Sequence, residues 1–187
     1  MAKPPANVDA YLASLPEHLR PEVQRVRDVI RRKLPRGYEE GIRCGIIAWE
    51  VPRSVFPGRF AWAPKNPLPV AALSARKNGL SVVILSHYAD PDAWAQFEAA
   101  WRATGERFDA GACCVRFPAT KDATLRLIGD AVAGIPVKRY VELYEALLEK
   151  MCRQKAKSDA KPAARKPAAR KPAAQRPAGR KRPAKAR

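Results

Sequence analysis

Proline recurs at every fifth position near the C-terminus, and that spacing decides how much of the chain can fold. KPAAR occurs at 161–165 and 166–170, KPAAQ at 171–175 and RPAGR at 176–180, and RPAKAR follows Lys181. A helix cannot run through such a repeat, because each proline removes a backbone donor and crowds the preceding turn. From 153 onward there is no aromatic residue and no Leu, Ile or Val. A segment with nothing apolar to bury cannot offset the entropy of ordering itself. The sequence therefore divides into a foldable unit, residues 1–152, and a disordered Lys/Arg/Pro/Ala-rich tail, residues 153–187. The first part is the size of one ordinary domain.

Charge follows the same division. The tail holds 14 of the 36 Lys and Arg residues and a single acid, Asp159, so most of the net charge of +18 resides there. No apolar run approaches the roughly 18 residues that cross a bilayer, and the N-terminal MAKPPANVDAYLASL lacks the apolar stretch of a signal peptide. Four cysteines without a Cys-x-x-Cys pair make a poor disulfide scaffold. These features lead us to expect a reduced, cytoplasmic protein with no membrane association, nucleoid-associated if the tail holds DNA.

Within the first part, apolar periodicity marks the elements. Val8, Leu12 and Leu15 predict a short helix capped by Asn7. Leu19, Val23, Val26, Ile30 and Leu34 predict a second, stopped by Pro35 and Gly37. Residues 45–51 read as a strand. Residues 52–69 carry five prolines and read as a long irregular loop. Residues 70–75 and 80–86 flank Arg76-Lys77-Asn78-Gly79, a hairpin signal. A helix over 91–104 places Trp94, Phe97 and Trp101 on one face, with Asp90 as cap. Residues 113–117 predict a strand, and Thr120 a cap for a helix with Leu125, Ile128 and Val132 inward. The last helix carries Val137, Tyr140, Val141, Tyr144, Leu147, Leu148 and Met151 on one stripe. Strands clustered centrally with helices at both ends predict an α+β fold. Its mostly antiparallel sheet of about four to five strands packs with N- and C-terminal helices.

Chemistry is sparse. No glycine-rich phosphate loop, Ser-His-Asp pattern or His-Glu-x-x-His occurs, and no catalytic residue is assigned. His18 and His87 do not have zinc-ligand spacing to the cysteines. Cys113 and Cys114, adjacent on a strand, face opposite sides. A thiol-dependent enzyme would need one of them beside a base such as His87. Trp62 sits in the proline-rich loop, where a large ring either plugs a pocket or binds something. Arg76, Lys77, Asn78 and Arg116 are placed to line one end of the sheet and to receive an anion. With Trp62 they form the candidate ligand pocket, for an unknown small molecule or protein partner.

The tail speaks more clearly. A flexible polycation releases counterions when it meets DNA or RNA, and so binds without regard to sequence. The candidate nucleic-acid contacts are Lys161, Arg165, Lys166, Arg170, Lys171, Arg176, Arg180, Lys181, Arg182, Lys185 and Arg187. The composition resembles the tails of linker histones and bacterial histone-like proteins. Gly179-Arg180-Lys181-Arg182-Pro183 resembles a loosened AT-hook, with Lys181 in place of its glycine.

Several stretches resemble, in order and spacing, the YdhG-like family, domain of unknown function 1801. They are Val8-Asp9-Ala10-Tyr11-Leu12 through Leu15-Pro16, and Tyr38-Glu39-Glu40-Gly41 with Gly45-Ile46-Ile47-Ala48. Next come Pro67-Leu68-Pro69 leading into Leu73-Ser74-Ala75-Arg76-Lys77-Asn78, and Asp109-Ala110-Gly111 leading into Cys114-Val115-Arg116-Phe117. The last is Leu127-Ile128-Gly129 followed by Pro136-Val137-Lys138-Arg139-Tyr140. The resemblance spans about residues 7–148 and implies a small α+β domain. One branch of that family has been regarded as a frataxin-like iron chaperone, which implies iron as a cofactor or cargo and an acidic first long helix. Here residues 17–33 carry six Arg or Lys against Glu17, Glu22 and Asp28. Clustered carboxylates are what a hard cation needs. We therefore expect a non-enzymatic binding module with a nucleic-acid-binding tail and no cofactor. The alternatives are an iron chaperone and a thiol-dependent enzyme.

Overall fold

The computed structural model describes residues 4–159. The chain opens with α1 (Val8–Ser14), a 3-10 turn (Glu17–Leu19) and α2 (Arg20–Lys33). The Asn7 side chain accepts from the Ala10 amide at 2.8 Å, so the expected cap is in place. In α1 the buried residues are Val8 and Tyr11, and Leu12 is only partly covered. The Tyr11 hydroxyl accepts from the Ala75 amide at 2.8 Å, which pins α1 to the sheet.

Six strands then form one antiparallel sheet in the order β1-β2-β3-β4-β6-β5. They are β1 (Glu39–Arg43), β2 (Ile46–Val51), β3 (Leu68–Arg76), β4 (Gly79–Ile84), β5 (Asp109–Ala110) and β6 (Cys114–Phe117). Two exceed the sequence reading. β1 is rich in charge and escapes a hydrophobic-pattern search. It is held by pairing to β2 and by Arg27 of α2, whose guanidinium grips Glu40 through two bonds of 2.9 and 2.7 Å. β5 is two residues long, too short to leave a periodic trace. Cys44 and Gly45 join β1 to β2 with φ of 50° and 78°. Two left-handed residues in succession suit the twist of a two-residue hairpin, so Cys44 lies in a turn.

The first helix-facing row of the sheet comes from alternate residues: Ile47, Trp49 and Val51 of β2, Ala71 and Leu73 of β3, Leu80, Val82 and Ile84 of β4, and Val115 and Phe117 of β6. They pack against Val23, Val26 and Ile30 of α2 and against α5 (Asp122–Ala133), which contributes Leu125, Ile128 and Val132. Gly129 lets α5 approach α2 closely. A Cβ there would stand 2.9 Å from a Val29 methyl. The opposite face mixes small residues with Val83, Arg116 and the Arg43–Glu50 ion pair. Ala48 and Ala72 are buried, yet they stand outside the core cluster.

Strand β4 ends at Ile84, two residues earlier than expected. Leu85–Ala89 turns into a short helix, α3, so His87 is helical and does not end a strand. α4 (Pro91–Ala103) follows, capped by Asp90 as expected, with Phe97 and Trp101 buried. At α5 the local hydroxyl bonds come from Thr124, which accepts from the Lys121 amide and donates to the Lys121 carbonyl. Thr120, expected as the cap, makes no capping bond to α5; it faces Glu22 of α2, to which its amide donates. The last helix, α6 (Val137–Asp159), continues seven residues into the segment assigned to the tail by sequence.

Candidate functional site

Arg76, Asn78 and Arg116 do come together. They line a cleft of about 400 Å³ at the end of the sheet where the β3–β4 hairpin meets β6, together with Gly79, Trp101, Glu106, Arg107 and Asp109. The hairpin brings Arg76 opposite Gly79, and Ser81 opposite Arg116, so register alone sets this neighbourhood. Lys77, at the tip of the same hairpin, is exposed and does not line the cleft.

The cleft is cationic but largely self-neutralised. Arg116 donates to one Asp109 oxygen from Nε at 3.1 Å and from Nη2 at 2.7 Å, and its Nη1 lies 3.3 Å from the Cys114 sulfur. Those hydrogen bonds from Arg116 hold the Asp109 carboxyl below its ordinary range. Glu106 is joined to Lys121. Among the described residues neither Arg76 nor Arg107 makes an ion pair, so these two are the cations left to meet an incoming anion.

Trp62 belongs elsewhere. It lines a separate apolar cavity of about 330 Å³ with Phe60, Leu85, Ala112 and Cys113. The grouping of Trp62 with the basic hairpin is thus corrected: the structure provides two sites, one polar and one apolar. Trp62 is 49% exposed and packs on Phe60 with ring centroids 5.3 Å apart.

A third cavity, about 410 Å³, went unnoticed in the sequence. It lies between α3–α4 and α5–α6, with Ser86, His87, Asp90, Gln96, Asp130 and Arg139 as its polar lining. His87 is 7% exposed, with Nδ1 3.3 Å from the Ser86 hydroxyl and its ring edge-on to Trp94 and Phe97. Its only sequence signal is a histidine among aromatics, and the cavity depends on how four helices meet. Burial drives the imidazole below its usual pKa, and Asp90 opposes this only in part. The neutral ring is therefore the folded form. The stability it contributes is complete above pH about 6.5, the ordinary imidazole value. It is lost as pH falls from there through the depressed folded value. Thermal melts from pH 8 to pH 5 should show this decline, and His87→Gln should flatten it; an identical profile in the variant would remove His87 as the source.

The cysteines do not assemble. Cys44 and Cys152 are exposed, and Cys113 and Cys114 are half-buried. Burial first, and then the neighbouring Cys114, push the Cys113 thiol up, the reverse of what an activated thiolate requires. The His87 contacts described are to Ser86, Trp94 and Phe97, not to a cysteine. Among the described residues no three His, Cys, Asp or Glu side chains gather as a metal site. On α2, Glu22 accepts from the Thr120 amide and Asp28 from Gln24. No described helix is long and apolar enough to cross a membrane. All eleven tail cations, Lys161 to Arg187, lie outside the described residues.

The fold is thus a two-layer α+β domain with a six-stranded antiparallel sheet. It is similar to the crystal structure, at 1.75 Å resolution, of YdhG, a DUF1801-family protein from Bacillus subtilis. The TM-score is 0.44 at 19% sequence identity, over 65% of this chain and 82% of that one. No family model matches the chain, and no curated protein matches it.

Proposed function

We propose that this protein is a non-enzymatic binding module that engages nucleic acid through its basic C-terminal segment. The observation that carries the reading is charge segregation: 14 cations and one acid in the last 35 residues. The geometry of α6 agrees with it. Leu148 is the last residue of α6 packed against the core, and Cys152, Arg153 and Gln154 are exposed. The helix is thus uncovered at 152–154, past its last packed residue.

The test compares the full chain with a chain ending at Asp159, using a fluorescent 20-base-pair duplex at three salt concentrations. Neutralising about six phosphates gives a salt slope near −5, so affinity should fall roughly 10³-fold between 50 and 200 mM salt. The shortened chain should lose binding by at least about 100-fold at low salt. Equal binding by the two chains would refute the assignment to the tail.

A further inference from the structure

The loop 52–67 combines features that the rest of the domain keeps apart. It holds Arg53, Arg59 and Lys65 and no acid, interleaved with Phe56, Phe60 and Trp62. The loop is braced. Phe56 is buried with its ring edge-on to Tyr144 at 5.9 Å. The Tyr144 hydroxyl accepts from the Ala61 amide at 2.7 Å and lies 3.3 Å from the Arg59 carbonyl, to which it donates. Both neighbours of Phe60 are thereby fixed to α6. Farther along, Arg53 donates to the Lys65 carbonyl at 2.6 Å and closes the loop on itself. A long proline-rich segment is thus fixed at both ends and in its middle.

What the bracing presents is an aromatic shelf. Phe60 packs partly against the core, Trp62 packs on Phe60, and half of the Trp62 surface faces solvent. Opposite stand Leu85, Ala112 and Cys113, which complete a slot of about 330 Å³. Among the described residues no charged side chain lines it. Charge stands on the same loop: Arg59, next to Phe60 in sequence, is exposed, whereas Lys65 lines a separate polar pocket with Glu39, Arg43 and Arg53. An apolar slot with an aromatic wall and an exposed cation on the adjoining loop suits a planar ring that carries negative charge on a flexible link.

We propose that this slot receives an unpaired base of single-stranded nucleic acid, which stacks against Trp62 while Arg59 meets a flanking phosphate. Stacking on aromatic side chains beside a cationic track is the general means of holding single strands. A duplex cannot use the slot, because its base faces are already stacked. The proposal rests on the reading of the tail as a nucleic-acid contact, since the tail would deliver the strand and the slot would select its unpaired state.

The experiment uses the full chain and three fluorescein-labelled probes: a 12-nucleotide oligothymidine, an abasic strand of equal length and charge, and a 12-base-pair duplex. Oligothymidine should bind roughly tenfold or more tightly than the abasic strand, and should quench tryptophan emission. Trp62→Ala should bring oligothymidine down to the abasic level, Trp62→Phe should restore most of the difference, and duplex binding should be the same in all three proteins. Equal binding of oligothymidine and the abasic strand by the natural chain overturns the slot and leaves the tail reading standing. So does an unchanged preference in Trp62→Ala. Preference for oligothymidine without duplex binding supports the slot and overturns the tail reading. Binding of none of the probes overturns both.

Discussion

Gly79→Ala should destabilise the protein by about 3–5 kcal/mol, a large part of the stability of an ordinary domain. Gly79 opens β4 with φ of 131°, a backbone conformation that side chains rarely adopt. A Cβ there would lie 2.3 Å from the Phe117 carbonyl oxygen and 2.6 Å from the Pro118 Cα. Both obstacles are backbone of the neighbouring strand, so no side-chain rotation relieves them. The strain is about 1–3 kcal/mol and the overpacking about as much again. Gly105→Ala is the control. Its φ is also positive, at 78°, but a Cβ there meets nothing within 4 Å, so the cost should be about 1 kcal/mol. Urea midpoints of the two variants decide the matter. Equal losses would mean that backbone conformation alone, and not the approach of β6, makes glycine necessary at position 79.

Trp101→Ala should cost about 3–5 kcal/mol by loss of buried surface and the cavity left behind. Trp101 is fully buried, with Phe97, Phe108 and Phe117 at 5.7, 6.3 and 5.7 Å between ring centroids. Its indole nitrogen donates to the Arg107 carbonyl at 3.3 Å. The ring therefore joins α4 to β6 and also holds the segment that carries Arg107 to the basic cleft. Trp101→Phe, which keeps much of the volume, should lose less. If Trp101→Ala unfolded at the same urea concentration as the natural chain, this aromatic cluster would not belong to the cooperative core.

The helices were legible because their stripes are apolar and regular. The periodic residues Val23, Val26, Ile30, Ile128 and Val132 are all fully buried. β1 was not legible, since Glu39, Glu40 and Arg43 hide a strand whose pairing is completed by β2 and by the Arg27 clamp. The strand expected over 80–86 overran by two residues because the five-residue helix that follows leaves no period to detect. Of the candidate site residues, Arg76, Asn78 and Arg116 were within reach, because the hairpin signal fixes register and register fixes neighbours. Trp62 was singled out as a large ring in a proline-rich loop, but its neighbours Leu85, Ala112 and Cys113 come from distant parts of the chain, and no local pattern announces them. The cavity beneath His87 has the same origin, in packing between helices.

The sheet's two margins have a consequence for how other chains can meet this one. β1 presents Glu39, Glu40 and Arg43, and β5 offers only two residues of backbone. Charged or very short outer strands resist the docking of a foreign strand. A basic protein that gathers on a polyanion is brought to high local concentration, where fusion of sheets between copies would lead to insoluble fibres. With its margins blunted in this way, the domain would remain a set of separate units if the contact proposed above gathered copies along a template.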